Sequence, residues 1–212
     1  MNLKNSEVFT EVYVKGLWGT GESRSGNGSN LEQTTTIREQ LSILFRGLEV
    51  KKLLDAPCGD FYWMKWVELD VDEYIGVDIV RELIEENRRR YEKPGREFMV
   101  LDITEDEIPR ADLIFCRDCL VHFSFRDISS ALENIKASGS TYLLTTTFSG
   151  RDKNEDIITG DWQPLNLQQP PFNFPEPISL INENCTIRNG LYADKCLGLW
   201  KISDIVTPAA NC

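Results

Sequence analysis

The chain has 212 residues, a net charge of −11, 41% hydrophobic residues and 27% charged residues. That length and apolar content suit one α/β domain with a full core, and the composition excludes a disordered chain. The acidity argues against a nucleic-acid partner, which calls for a basic surface to displace phosphate counterions.

The one basic cluster, Arg88, Arg89 and Arg90 with Lys93 and Arg96 nearby, reads as the cationic end of a helix. No apolar run approaches the roughly 20 residues that cross a bilayer, so no membrane partner is expected. Residues 1–10 lack the apolar core of a signal peptide. A soluble, cytoplasmic protein is the expectation, whether the chain works alone or as a domain of a larger protein. The six cysteines, Cys58, Cys116, Cys119, Cys185, Cys196 and Cys212, are scattered and expected to be reduced thiols. Cys116 and Cys119 have CxxC spacing but lack a second ligand pair, so structural zinc is not expected.

In chain order, residues 15–30 (KGLWGTGESRSGNGSN) read as a Gly- and Ser-rich loop. A helix fits residues 31–47, with Ile37, Leu41, Leu44 and Phe45 on one face. Residues 50–55 are a strand ending on Asp55, followed by a tight turn through Pro57, Cys58, Gly59 and Asp60. Residues 61–67 are expected to begin a crossover helix, with Trp63 and Trp66 as structural residues. A strand at 72–78 ends on Asp78, a helix covers 80–91, and a third strand at 98–102 ends on Asp102. A fourth strand spans 111–116, a helix follows at 126–137, and a fifth strand covers 141–148. Residues 162–177 hold Pro164, Pro170, Pro171, Pro175 and Pro177 and read as an extended loop. Residues 178–182 and 197–202 are candidate closing strands. Alternation of strands and helices implies βαβ units on a parallel sheet.

Ligands of open α/β sheets sit at the carboxyl ends of the strands. Three successive strands here end on an acid. The turn after the first admits close approach of a ligand, Asp78 can accept from both ribose hydroxyls, and Asp102 can accept from an adenine amine. The set is nucleoside-shaped. A dinucleotide fits poorly, because the Gly-x-Gly-x-x-Gly phosphate loop is absent and Asp55 and Asp60 would repel pyrophosphate. S-adenosylmethionine (SAM), with its ammonium and sulfonium cations, suits such acids.

The segments LLDAPCGDFYWM, YIGVDIV, LDITEDEIP and ADLIFCRDCLVHFSF resemble, in order, the motifs of class I SAM-dependent methyltransferases over residues 50–148. The resemblance implies a Rossmann-like seven-stranded fold in the order 3-2-1-4-5-7-6 with the last strand antiparallel. GTGESRSGNGS, CRDCLVHFSF, ITGDWQPLNLQQPPFNFP and ADKCLGLWKI resemble a narrower group within that superfamily, nearly end to end. That likeness implies an O-methyltransferase for a sugar, such as rhamnose in a glycan, acting with or fused to glycosyltransferases. One departure stands out: Pro57 and Phe61 occupy the first and last glycine positions of the usual first motif, and Gly59 alone keeps the middle one.

Carried over by residue, the resemblance implies that Asp55 and Gly59 border the methionine part of SAM, with Ala56 and Pro57 in the same turn. Asp78 takes the ribose, Ile79 and Ile103 flank the adenine with Asp102, and Arg117 and Asp118 follow the fourth strand where cofactor and catalytic contacts lie. From the residues themselves, the loop at Ser23–Gly26 is expected to fold over the cofactor, with Arg24 pairing the methionine carboxylate. His122, the only histidine, is the candidate base, oriented by Asp118 or Asp127, and Asp118 is the second candidate base. Trp18, Asp161 and Trp162 are candidate substrate contacts, and residues 159–174 are expected to wall the acceptor pocket. A divalent metal on Asp152, Glu155, Asp156 and Asp161 is a less favoured route. Three divisions are expected within one domain: residues 1–30 as a lid, 31–148 as the cofactor core and 149–212 as the acceptor side. A non-sugar acceptor and a SAM-binding regulator are the alternatives.

Overall fold

The computed structural model describes residues 4–19 and 21–207; Cys212 and the first three residues lie outside them. Strands β1 (Lys52–Asp55), β2 (Glu73–Asp78), β3 (Arg96–Val100), β4 (Leu113–Cys116), β5 (Tyr142–Phe148), β6 (Ser179–Asn182) and β7 (Lys195–Lys201) form one sheet. Their order is β3-β2-β1-β4-β5-β7-β6, as the family resemblance implied. The first five pair parallel with one another, and β7 runs antiparallel to both β5 and β6. β1, β4 and β5 are buried along nearly their whole lengths, which is why they read as apolar runs rather than alternating ones.

Helices α2 (Thr35–Gly47), α3 (Arg81–Tyr91) and α4 (Phe125–Ala137) lie close to their expected spans. Each buries a stripe at helical spacing: Ile37, Leu41 and Phe45 on α2, Leu83, Ile84 and Asn87 on α3, and Ile128, Leu132 and Ile135 on α4. Ser124 caps α4 by accepting from the Asp127 amide at 3.2 Å. No helix among the described residues is long and apolar enough to cross a membrane.

Four features differ from the sequence reading. Helix α1 (Asn5–Lys15) precedes the Gly-rich loop, burying Phe9 and Val12 and ending at Gly16 in the left-handed conformation. The crossover after β1 forms only a 3-10 turn at Met64–Trp66, because Phe61 at φ 54° breaks any α-helix at its start. Strand β3 ends at Val100, so Asp102 lies two residues beyond it in a turn closed by Thr104. The proline-rich tail is packed inside: Leu165, Leu167, Phe172 and Phe174 are core residues, and Trp200 Nε1 holds the Pro175 carbonyl at 2.8 Å. Asn154 satisfies the backbone there, donating to the carbonyls of Asn166 and Pro170 at 2.9 Å each.

Candidate functional site

The turn between β1 and the 3-10 turn sits at the carboxyl edge of the sheet, and it is held from above and below. Below, the Gly59 amide donates to Asp78 Oδ2 at 3.2 Å and the Val80 amide to Oδ1 at 3.0 Å. Above, Asp60 accepts from the Arg24 amide at 2.8 Å and from the Ser23 hydroxyl at 3.0 Å, while its own amide donates to Ser25 Oγ at 3.1 Å. The early loop is thereby strapped over the turn as a roof. Gly59, at φ 52°, meets that roof so closely that a Cβ would lie 2.3 Å from Ser25 Oγ. This is the physical reason for the one glycine the motif keeps.

Beneath the roof lies a cavity of about 460 Å³. Its walls bring together Arg24, Asp55, Pro57, Gly59, Asp78, Ile79, Asp102, Ile103 and Arg117, with Trp18, Asp118, His122 and Trp162 in the same enclosure. Two expected residues fall outside it. Ala56 is buried in the core instead, with its amide on the Phe115 carbonyl at 2.9 Å. Asp161 turns its side chain to solvent and contributes only a backbone carbonyl. Within 159–174 only Trp162 lines the cavity; Ile187, Arg188 and Tyr192 provide that part of the wall.

Burial pushes the Asp55 carboxyl up to about 8, against the hydrogen bond donated by the Tyr74 hydroxyl. Burial likewise pushes Asp78 up to about 6, against backbone amides led by that of Val80. A cation bound beside these two carboxyls would favour the ionised carboxylates and lower both values. Cys58, between them, is kept a thiol by burial and by both acids. The five described cysteines are free and buried.

A second charged group closes the floor toward β7. Arg117, buried, donates to Glu183 Oε2 at 2.7 Å and to the Gly28 carbonyl of the roof at 2.8 Å. Lys195 Nζ lies 2.6 Å from Asp118 Oδ2 and 3.3 Å from Glu183 Oε2. For Asp118, burial alone would raise the carboxyl, but Lys195 and then Arg117 override it and hold it far below the carboxylate range. Asp118 is therefore a poor proton acceptor, which argues against its sequence-derived role as a base. Glu183, Lys195 and Tyr192 escaped the sequence reading. The one signal for the first two is a register, Glu183 amide to Lys195 carbonyl at 3.0 Å, that appears only once β6 and β7 are paired.

His122 stands in a 3-10 turn after β4, its ring 4.9 Å from that of Trp18. Its Nδ1 is 2.9 Å from the Asp161 carbonyl. A carbonyl only accepts, so Nδ1 carries the hydrogen and Nε2 is the proton-accepting nitrogen of the neutral ring. Burial holds its pKa below the ordinary histidine value, despite the pull of the Asp161 carbonyl and of Asp118. The ring is thus oriented by a backbone carbonyl rather than by the expected carboxylates; Asp127 bonds Thr159 instead. Among the described residues no three His, Cys, Asp or Glu side chains converge on a metal-sized site; Glu155 pairs with Lys153, and Asp156 accepts from the Phe125 amide at 2.7 Å.

A family model described as a methyltransferase domain matches residues 53–138. The matched segment runs from β1 to the end of α4 and resembles a methyltransferase domain. Human N-acetylserotonin methyltransferase in complex with SAM superposes with a TM-score of 0.56 at 14% identity, covering 94% of this chain and 60% of that one. Magnesium protoporphyrin IX methyltransferase from Synechocystis PCC 6803 superposes with a TM-score of 0.50 both with S-adenosylhomocysteine (15% identity, 68% and 72% covered) and with SAM (13%, 73% and 81%). These likenesses are of fold. A comparison with curated protein sequences gives no match.

SAM is bound in the human structure and in one of the Synechocystis structures, and the residues of this cavity fit it. Asp55 and Asp78 can face a cationic ligand as carboxylates, and Ile79, Leu83, Leu101 and Ile103 offer an apolar face to a base.

Proposed function

We propose that the protein is a SAM-dependent methyltransferase that transfers a methyl group to a hydroxyl of a sugar, a deoxyhexose such as rhamnose in a glycan, and that it works with glycosyltransferases. The observation that carries this reading is His122: a neutral imidazole in the cavity wall, with Nδ1 committed to the Asp161 carbonyl and Nε2 left to accept a proton. A hydroxyl must lose its proton as its oxygen forms the new bond to carbon, and a base whose pKa lies below neutrality is ready at pH 7. The aromatic faces of Trp18 and Trp162 supply flat apolar surfaces of the kind on which a sugar ring stacks.

In this reading Asp78 holds the ribose hydroxyls and Arg24 the methionine carboxylate. Asp55, Pro57 and Gly59 border the methionine part, Ile79, Asp102 and Ile103 border the adenine, and Arg117 braces the roof through Gly28. Bound SAM supplies the electrophilic methyl and becomes S-adenosylhomocysteine. His122 Nε2 takes the acceptor's proton and returns it to solvent, and Trp18 fixes the ring's tilt.

The test is mass spectrometry of a reaction with SAM and a panel of deoxyhexose glycosides, rhamnosides foremost, with S-adenosylhomocysteine followed in parallel. A gain of one methyl mass in step with that product is expected. Binding of SAM with no glycoside methylated would overturn the sugar assignment and favour a non-sugar acceptor or a regulator.

A further inference from the structure

Four cations line the cavity: Arg24, Arg117, Arg188 and Lys195. Arg117 and Lys195 are neutralised where they stand by Glu183 and Asp118. Arg24 belongs to the roof above the β1 turn, its guanidinium 4.3 Å over the Tyr13 ring and its amide on Asp60. Arg188 is different. Among the described residues it forms no ion pair; its NH1 donates to the Tyr192 hydroxyl at 3.3 Å.

Arg188 also lies elsewhere along the cavity. Tyr192 packs edge-on against Trp162, with ring centroids 4.9 Å apart, and against Phe148 at 6.0 Å. Phe148 ends β5, which sits two strands from β1 in the sheet. At about 4.8 Å per strand, this wall is on the order of 10 Å from the methionine turn. Trp162 is 40% exposed there, so it is no core residue. The neighbouring acid Asp194 is occupied by Arg151, whose Nε lies 2.9 Å from it. In a chain of net charge −11, this wall therefore keeps one uncompensated positive charge beside three aromatic rings.

We propose that this wall is an anion subsite: Arg188 binds a phosphate or carboxylate carried by the acceptor, next to the sugar that is methylated. Arg188 is exposed at the mouth of the cavity, and its guanidinium matches either group through two parallel N–H donors. The acceptor class is then a glycosyl phosphate or diphosphate, or a glycan with a neighbouring uronate, rather than a neutral glycoside. This proposal rests on the sugar reading above and narrows it.

The experiment measures binding to the full chain saturated with S-adenosylhomocysteine, by calorimetry, for rhamnose 1-phosphate, phenyl glucuronide, neutral phenyl rhamnoside and sugar-free phenyl phosphate. At least one anionic glycoside is expected to bind about tenfold more tightly than phenyl rhamnoside, and which one does so separates phosphate from carboxylate. R188Q is expected to erase that preference and R188K to keep part of it, with affinity for S-adenosylhomocysteine unchanged in both. Equal binding of anionic and neutral probes, a preference that survives R188Q, or no anion bound at millimolar concentration would each overturn the subsite. Phenyl phosphate bound through Arg188 with no sugar bound would keep the subsite and remove the sugar reading. Phenyl rhamnoside bound with no anion preference would do the reverse.

Discussion

Replacing His122 with glutamine is expected to lower kcat by about a hundredfold to ten-thousandfold, the usual contribution of a positioned general base. SAM affinity is expected to hold, because His122 stands with Trp18 and Asp161 rather than among the acids around the Gly59 turn. The pH profile gives a second readout. In the parent, kcat rises with pH through a pKa below the ordinary histidine value, since burial disfavours the imidazolium. Above that value the base is neutral and the rate is flat. The variant's residual rate is expected to lose this limb. A kcat within threefold of the parent's, with the limb intact, would remove His122 from the chemistry and leave it a packing partner of Trp18.

The second large effect concerns folding. Glu183 is almost fully buried against Arg117, which also reaches Asp118 and the roof carbonyl of Gly28. Changing Glu183 to leucine strands a buried guanidinium, which costs about 3–5 kcal/mol; for a chain of this size the melting temperature falls by roughly 6 to 20 °C. The double variant E183L with R117M is expected to recover part of that loss, because an apolar pair removes the stranded charge along with its partner. Thermal unfolding of the three proteins measures both terms. A single-variant shift under 2 °C would mean that Asp118 alone holds Arg117. The same group joins the roof to the tail through one side chain, so the single variant is also expected to loosen the strap over the Gly59 turn.

Legibility in the sequence followed how local each signal was. Strands β1, β2, β4 and β5 are short apolar runs bounded by acids, glycines and serines, and they were read to within two residues. Asp55, Asp78 and Ile79 follow directly from β1 and β2, because a residue's place at a strand end fixes its place at the sheet's carboxyl edge; Asp102 and Ile103 reach the cavity from the turn after β3. Helix α1 has a short signal, Phe9, Val12 and Tyr13 at helical spacing closed by Gly16, within an otherwise polar segment. The crossover helix failed because nothing in the apolar pattern announces a left-handed Phe61; its ring instead fills the core between Tyr74 and Phe98, at centroid distances of 5.3 and 5.4 Å.

The tail was the hardest part. Its prolines do forbid a helix, yet Leu165, Leu167, Phe172 and Phe174 turn inward, and the cavity wall falls to the later turn with Arg188 and Tyr192. The Arg117–Glu183–Lys195–Asp118 group spans 66 to 77 positions of sequence, so only the pairing of β6 with β7 reveals it. It also bears on the two candidate bases: Asp118 is tied up by Lys195, and His122 keeps a free nitrogen.

The most direct measurement is a calorimetric titration of SAM into the chain and into an Asp78→Ala variant, at pH 5.5 and pH 8. One SAM per chain is expected. With Asp78 raised to about 6 and Asp55 to about 8, both are largely protonated at the lower pH and ionise as pH rises. Affinity for the cationic cofactor is therefore expected to increase by about tenfold or more toward pH 8. The variant is expected to lose most of that affinity. SAM that fails to bind, or that binds the variant as tightly as the parent with no dependence on pH, would contradict the assignment of this cavity as the cofactor site.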